Sequence, residues 1–162
     1  MIKRILCNAS PLILLSKIGR LHLLSDLFDE VFVPESAWNE AVYKPDSMTN
    51  DLMQFKLSTK LTVFKVENSV AVSAMIGRLH IGEVEVIVGA DELGIRNVVL
   101  DDGYARSKAK QMGLSVTGTL GILIAGRDAG NVSDLNSDID SLIENGFRIS
   151  ENILSQVRSN TK

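Results

Sequence analysis

Residues 2–15 read IKRILCNASPLILL. Ile2 to Cys7 is short, apolar and β-branched enough for a buried strand, and it stops at the polar turn Asn8-Ala9-Ser10. Pro11 suits the first turn of a helix with Ser10 as its cap, because proline lacks only a donor that would be orphaned there anyway. Leu12, Leu15, Ile18, Leu21, Leu23 and Leu24 then carry a helical spacing, interrupted at Gly19. The basic start before an apolar run has the look of a signal peptide, but Asn8, Ser10 and Pro11 break that run early. Val31-Phe32-Val33 reads as a second strand, and Pro34 opens a helix through about Tyr43. Strand, helix, strand, helix is the crossover pattern of a parallel sheet.

Farther along, a polar passage from Lys44 to Asn50 leads to a helix around Asp51–Leu57 and an alternating strand at Leu61–Val66. Residues 70–80 have helical spacing and end in Arg78-Leu79-His80. Gly82 to Leu93 forms a helix closed by Gly94 in the left-handed cap position. Asn97–Leu100 is a strand that ends in Asp101-Asp102; Tyr104–Met112 is a helix stopped by Gly113. Leu114–Val116 is a short strand and Thr119–Ala129 an apolar helix. A helix at Asp134–Glu144, the segment Gly146-Phe147-Arg148-Ile149 and a last helix capped by Ser150 follow. The expected fold class is α/β: three layers, with a mainly parallel central sheet between helices, in a single domain over residues 1–162.

Composition narrows the function classes. A chain of 162 residues, 45% hydrophobic and 23% charged, can bury a sizeable core, which excludes disorder as its main state. Seventeen basic and twenty acidic residues leave a net charge of −3, so no bulk positive field attracts a polyanion. Nucleic-acid binding would need a local patch, a metal or a partner. Cys7, the single cysteine, excludes an internal disulfide, and with two histidines there is no zinc cluster; a reducing cytoplasm fits. No stretch reaches the ~18 apolar residues of a membrane span.

In open α/β sheets, sites form outside the carboxyl ends of strands, so polar residues just after apolar strands carry the information. Asn8 and Ser10 follow the first strand, and Asp101 and Asp102 follow the fourth. Glu40 lies six residues past Pro34 on a helix, and Glu83 and Glu85 open the helix after Gly82. The last two stand about 200° apart around a helix, so at most one can bind an ion. Each acid also has an ordinary reading: a solvated helix residue for Glu40, helix-dipole charges for Glu83 and Glu85, turn and cap chemistry for the aspartates. His22 reads as a half-buried or exposed helix residue and Cys7 as packed. Arg78, His80, Arg106, Lys108 and Lys110 could track an RNA backbone or form a solvated face. The apolar residues of 11–24 and 70–80 suit a core or a self-association surface.

The ordered set is more specific than its members. Asn8-Ala9-Ser10-Pro11-Leu12-Ile13, Val33-Pro34-Glu35-Ser36-Ala37-Trp38-Asn39-Glu40, Gly82-Glu83-Val84-Glu85-Val86-Ile87, Leu100-Asp101-Asp102, Gly118-Thr119-Leu120-Gly121 and the tail Gly146–Ser150 together resemble the PIN-domain superfamily, in its toxin branch. The resemblance covers nearly the whole chain. It implies a parallel sheet between helices, a few acids holding Mg²⁺ or Mn²⁺ for cutting RNA, a homodimer and a small antitoxin partner. Carried over residue by residue, the catalytic positions are Asn8, Glu40, Glu83 and Asp102. Metal ligands are Glu40, Glu83, Asp101 and Asp102, while Ser10, Glu85 and Thr119 support the site. Arg78, Arg106 and Lys108 are the cations placed to meet RNA. One position departs from the pattern. Asn8 stands where the family usually has aspartate, offering a neutral oxygen of the same reach with one less negative charge, which lowers affinity for a hard cation.

Three readings remain open on the residues. The first is an endoribonuclease, the toxin of a toxin–antitoxin pair, which requires Glu40, Glu83 and Asp102 to converge. The second is a PIN-like module that binds RNA or protein without cutting. The third is a phosphoacceptor domain using Asp101 or Asp102, for which no lysine stands in a convincing place.

Overall fold

Side chains along the first strand point alternately to two different cores, and this alternation organises the molecule. A computed structural model describes residues 1–43 and 46–160. Lys44 and Pro45, within the polar passage expected up to Asn50, and Thr161 and Lys162 lie outside the described residues. Strand β1 (Arg4–Cys7) sends Ile5 and Cys7 to one side and Leu6 to the other, all fully buried. Its neighbour β2 (Glu30–Pro34) does the same, with Val31 and Val33 on the first side and Phe32 on the second. With β3 (Leu61–Phe64), β4 (Asn97–Val99) and β5 (Ser115–Thr117) they form one sheet in the order β3-β2-β1-β4-β5, and every pairing is parallel.

Helices cover both faces. Against the Ile5 side pack α1 (Ala9–Lys17), α2 (Leu23–Leu27), α3 (Glu35–Ala41), α4 (Ser47–Ser58), α8 (Thr119–Asp128) and α9 (Leu135–Glu144), through residues such as Leu12, Leu23, Trp38, Leu52, Leu123 and Ile139. The Leu6 side is covered by α5 (Ser69–Met75), α6 (Ile81–Leu93) and α7 (Gly103–Gln111), through Val72, Ile87 and Ala105. Helix α10 (Glu151–Ser159) lays Leu154 and Val157 along the edge of the first core and buries no residue completely. The result is a three-layer α/β/α fold with an all-parallel sheet. No helix among the described residues is long and apolar enough to cross a membrane.

Several boundaries differ from the sequence reading, each for a local reason. Helix α1 starts at Ala9, with Asn8 rather than Ser10 at the cap position, so the strand passes into the helix with no intervening turn. Pro11 is tolerated because all of the first-turn donors lack helical partners. Helix α4 begins earlier than Asp51, because the Asp46 carboxylate accepts from the Thr49 amide at 2.9 Å and caps it. The expected helix over 70–80 ends at Met75; Ile76 instead bridges to Leu79, and Arg78 sits on the connecting loop. Gly94 closes α6 at φ 65°, as its position after Leu93 predicts. In residues 11–24 the leucines at 12, 15, 23 and 24 are core, whereas Val70 and Ile76 remain exposed.

Candidate functional site

From β1 the chain moves outward through β2 to β3, then returns across the sheet to lay β4 on the other side of β1. Strand order therefore reverses between β1 and β4, and a crevice opens there at their carboxyl ends. Asn8 follows β1 directly, its amide donating to the Val99 carbonyl at 3.3 Å, and Asp101 and Asp102 follow β4 one residue further on. Both strands feed helices, α1 and α7, whose first-turn amides face the same edge.

The Asn8 side chain is the first unusual feature. It occupies the cap position of α1 without capping it, and its Oδ1 is buried with no hydrogen-bond partner among the described residues. A buried carbonyl oxygen left unpartnered costs about 1–3 kcal/mol and is uncommon in native folds. Opposite it lies Gly82, in the first turn of α6. A methyl group there would stand 3.2 Å from Asn8 Oδ1 and 3.7 Å from Glu40 Oε2, so the absent side chain leaves the space between these two oxygens open.

Glu83, the next residue of α6, is 9% exposed, and its Oε2 accepts from the His80 amide at 3.1 Å at the start of the helix. Burial pushes its carboxyl above the ordinary glutamate range, and the negative charges of Asp102 and Glu40 push the same way, against the His80 bond and charge. Asp102 caps α7, its Oδ2 accepting from the Ala105 amide at 2.9 Å, and is exposed to solvent. Glu40 is also exposed. Asp102 and Glu40 thus both act on Glu83 as like charges, and among the described residues none of the three makes an ion pair.

The remaining residues singled out in the sequence are engaged differently. Glu85 points to α3, where its Oε2 accepts from Ser36 Oγ at 2.6 Å, which leaves Glu83 as the member of that pair beside the crevice. Asp101 has both oxygens taken by the start of α8, from the Thr119 amide at 2.7 Å and the Thr119 hydroxyl at 2.6 Å. Thr119 is the first residue of α8, with Gly118 at the cap position, and is fully buried. Ser10 is exposed in the first turn of α1. Arg106 folds back so that Nη1 donates to the Leu100 carbonyl at 3.0 Å, which makes it part of the wall behind Asp101; Lys108 is half-buried on α7. Burial, with the Asp101 charge adding to it, pushes the Cys7 thiol far up, so it is a packing residue and not a nucleophile. His22 is exposed and lies 3.9 Å from Asp26.

Two features were missed. Tyr104, read only as the opening of a helix, lies under the Arg78 guanidinium at 4.6 Å from the ring centroid. Asp138, buried in the first turn of α9, pairs with Arg20. A residue two positions past a strand-end aspartate was a usable signal for Tyr104; nothing local announces a pair 118 residues apart.

No three His, Cys, Asp or Glu side chains among the described residues form a group that could hold a metal ion by themselves. The oxygens at the crevice are of a mixed kind: one unpartnered amide oxygen and carboxylates without counterions. That donor set fits a hard divalent cation, which takes amide carbonyl and carboxylate oxygens alike. The family model described as PIN domain matches residues 4–162 of the chain. No curated protein matches it.

Proposed function

The chain belongs to the PIN-domain family, and from that premise we propose that it is a metal-dependent endoribonuclease, the toxin component of a toxin–antitoxin pair. One observation carries the reading: a buried Glu83 that makes no ion pair among the described residues and feels the charges of Asp102 and Glu40, at the strand-order switch where Asn8 Oδ1 lacks a partner. Asn8, Glu40, Glu83 and Asp102 are the residues that would hold Mg²⁺ or Mn²⁺. Such an ion, when bound, supplies Lewis acidity toward a phosphate and acidifies water.

The chain's own residues prepare the site for it. Asn8 presents a fixed oxygen because β1 and α1 hold its backbone on both sides. Gly82 keeps the space beside that oxygen clear. Glu83 is anchored by the His80 amide, so its rotation is restricted at the start of α6. Asp101 and Glu85 are in supporting positions: the first fixes the start of α8, the second fixes α3, and with it Glu40, to α6. A cytoplasmic setting, an RNA substrate, an antitoxin and a homodimer go with this reading.

Asn8 in place of aspartate favours a second reading, a PIN-like module that holds RNA or a protein without cutting. The discriminating experiment is cleavage of a mixed single-stranded RNA by purified protein in Mn²⁺, Mg²⁺ and EDTA, with Asp102→Asn as the control. Metal-dependent cutting that falls by more than the ~10–100-fold typical of losing an outer partner of a metal ligand supports the nuclease. Cutting equal in Asp102→Asn and the parent would discard the site. RNA binding that survives EDTA with no cutting, converted to cutting by Asn8→Asp, supports the second reading.

A further inference from the structure

The Arg78–Tyr104 pair is not explained by packing or by the acidic site. Tyr104 is 44% exposed although it opens a helix whose neighbouring Ala105 is fully buried, and Arg78 is exposed on the loop before α6. The guanidinium carbon lies over the ring, 4.6 Å from its centroid, so a cation and an aromatic face meet at the surface. Their position in the chain is specific. Arg78 leads through Leu79 and His80 into the turn that carries Glu83, and Tyr104 is two residues past Asp102. The two segments that bring Glu83 and Asp102 together are therefore the two that supply the platform. Exposed Ile81 adds apolar surface on the same approach to α6.

We propose that Tyr104 and Arg78 form a platform on which one unpaired nucleobase of a bound strand is seated next to the acidic crevice. The identity of the polymer rests on the nuclease reading above; the platform itself rests on the Arg78–Tyr104 pair. Aromatic faces and guanidinium planes accept any base, and a base can reach them only when it is free of a duplex stack. A chain with net charge −3 has little long-range attraction for RNA, so a stacking contact with one adjacent cation is the kind of interaction that can seat a strand here.

The test uses the full chain and a short labelled single-stranded RNA, together with a set of the same strand carrying one abasic nucleotide at successive positions. Binding is read by anisotropy in Ca²⁺ and cleavage KM in Mn²⁺. The wild type is expected to lose about 5- to 100-fold in affinity at one abasic position, the range of a single base–aromatic stack. Tyr104→Leu, which keeps an apolar side chain over Arg78, is expected to bind the intact strand that much more weakly and to ignore the abasic site; Tyr104→Phe retains both properties. Arg78→Lys keeps the charge and loses the plane, and takes a smaller share of the loss.

Tyr104→Leu that binds the intact strand like the wild type overturns the proposal. So does a variant that is weaker yet still discriminates the abasic strand as the wild type does, because its role is then only to brace the loop. Wild-type binding with full Tyr104 dependence and no cleavage sustains the platform and defeats the nuclease reading. Cleavage with no abasic discrimination does the reverse. Failure of the wild type to bind any of the strands overturns both.

Discussion

Glu83 and Asp138 are both carboxylates in the first turn of a helix, and both are nearly removed from solvent, at 9% and 5% exposure. Their surroundings are opposite. Asp138 Oδ2 accepts from Arg20 Nε at 2.8 Å, an ion pair that ties α9 to the turn after α1. The same bond holds the Arg20 guanidinium above its ordinary pKa. Glu83 has one backbone donor and, among the described residues, no ion pair; besides the charge of His80, two further acids act on it. Burial of an acid alone therefore does not distinguish a structural role from a chemical one. The counterion does: Asp138 is matched by the opposite charge of Arg20, whereas Glu83 makes no such pair and stands beside two further acids, the perturbed setting in which chemical sites are concentrated.

The largest expected effect comes from making the Asp138 region resemble the Glu83 region. Arg20→Ala strips the counterion and should destabilise the protein by about 3 kcal/mol, the lower end for breaking a buried pair because Arg20 is itself partly exposed. Urea denaturation measures it, and Arg20→Ala with Asp138→Asn should recover part of the loss. Metal-dependent cleavage per folded molecule should not change. A loss below about 0.5 kcal/mol, ordinary for a surface site, would remove the contrast.

Next is a change that deepens the charge imbalance at the crevice. Asn8→Asp adds a carboxylate at a position that is 8% exposed and beside the Gly82 opening. Mn²⁺ should bind on the order of tenfold more tightly, since ligand charge sets affinity for hard cations. The same variant should be less stable than its parent in EDTA, because the new charge has no partner. Calorimetric titration and thermal melts with and without Mn²⁺ read both signs, and an affinity unchanged by the substitution would argue that the amide oxygen is not part of the cation site.

Glu83→Gln relieves the imbalance instead. The Glu83 carboxyl titrates above its unfolded value, so the folded protein holds this proton to higher pH than the unfolded chain does. Stability contributed by this group is then greatest below the ordinary glutamate range, falls as pH rises through the raised folded pKa, and stays low above it. In EDTA, Glu83→Gln should flatten that decline and be more stable than the parent at neutral pH, by a modest margin, while losing cleavage. A Gln variant that is less stable than the parent at neutral pH would mean that the His80 bond and charge outweigh burial and the two acids, so that the charged carboxylate is the favoured form.

The layers of the fold were legible because periodicity survives tertiary packing. Ile5, Leu6 and Cys7 alternate between cores as β-strand geometry requires, and Gly94 ends its helix where a left-handed residue is needed. Strand order was not legible: nothing in the β4 residues Asn97–Val99 specifies pairing with β1 rather than with β3. Local competition also hid some boundaries. Gly77 and the Ile76–Leu79 bridge stop a helix that the apolar spacing alone would continue, and Asp46 captures the start of α4 from a polar stretch. At the site, helix geometry showed that Glu83 and Glu85 diverge, but only the Ser36 hydroxyl across the α3–α6 contact decides which one turns away. Asp101 and Asp102 looked equivalent as neighbours; Thr119, eighteen residues on, takes one of them out of the crevice.

The smallest expected change in stability tests the space itself. Gly82 lies in the first turn of α6 with no left-handed backbone, so alanine is conformationally acceptable and its helix preference favours the fold by up to ~1 kcal/mol. Against that stands the 3.2 Å approach of the new methyl to Asn8 Oδ1, tight enough that the amide must shift by a few tenths of an ångström. The two effects oppose each other, and Gly82→Ala should change stability by no more than about 0.5 kcal/mol. Cleavage should fall all the same, since the methyl occupies the opening between Asn8 Oδ1 and Glu40 Oε2 where both a cation and a phosphate oxygen would need room. A variant that folds normally, cleaves normally and binds Mn²⁺ as its parent does would move the reaction away from Asn8 and Glu40 and leave Glu83 and Asp102 to carry it from the solvent side.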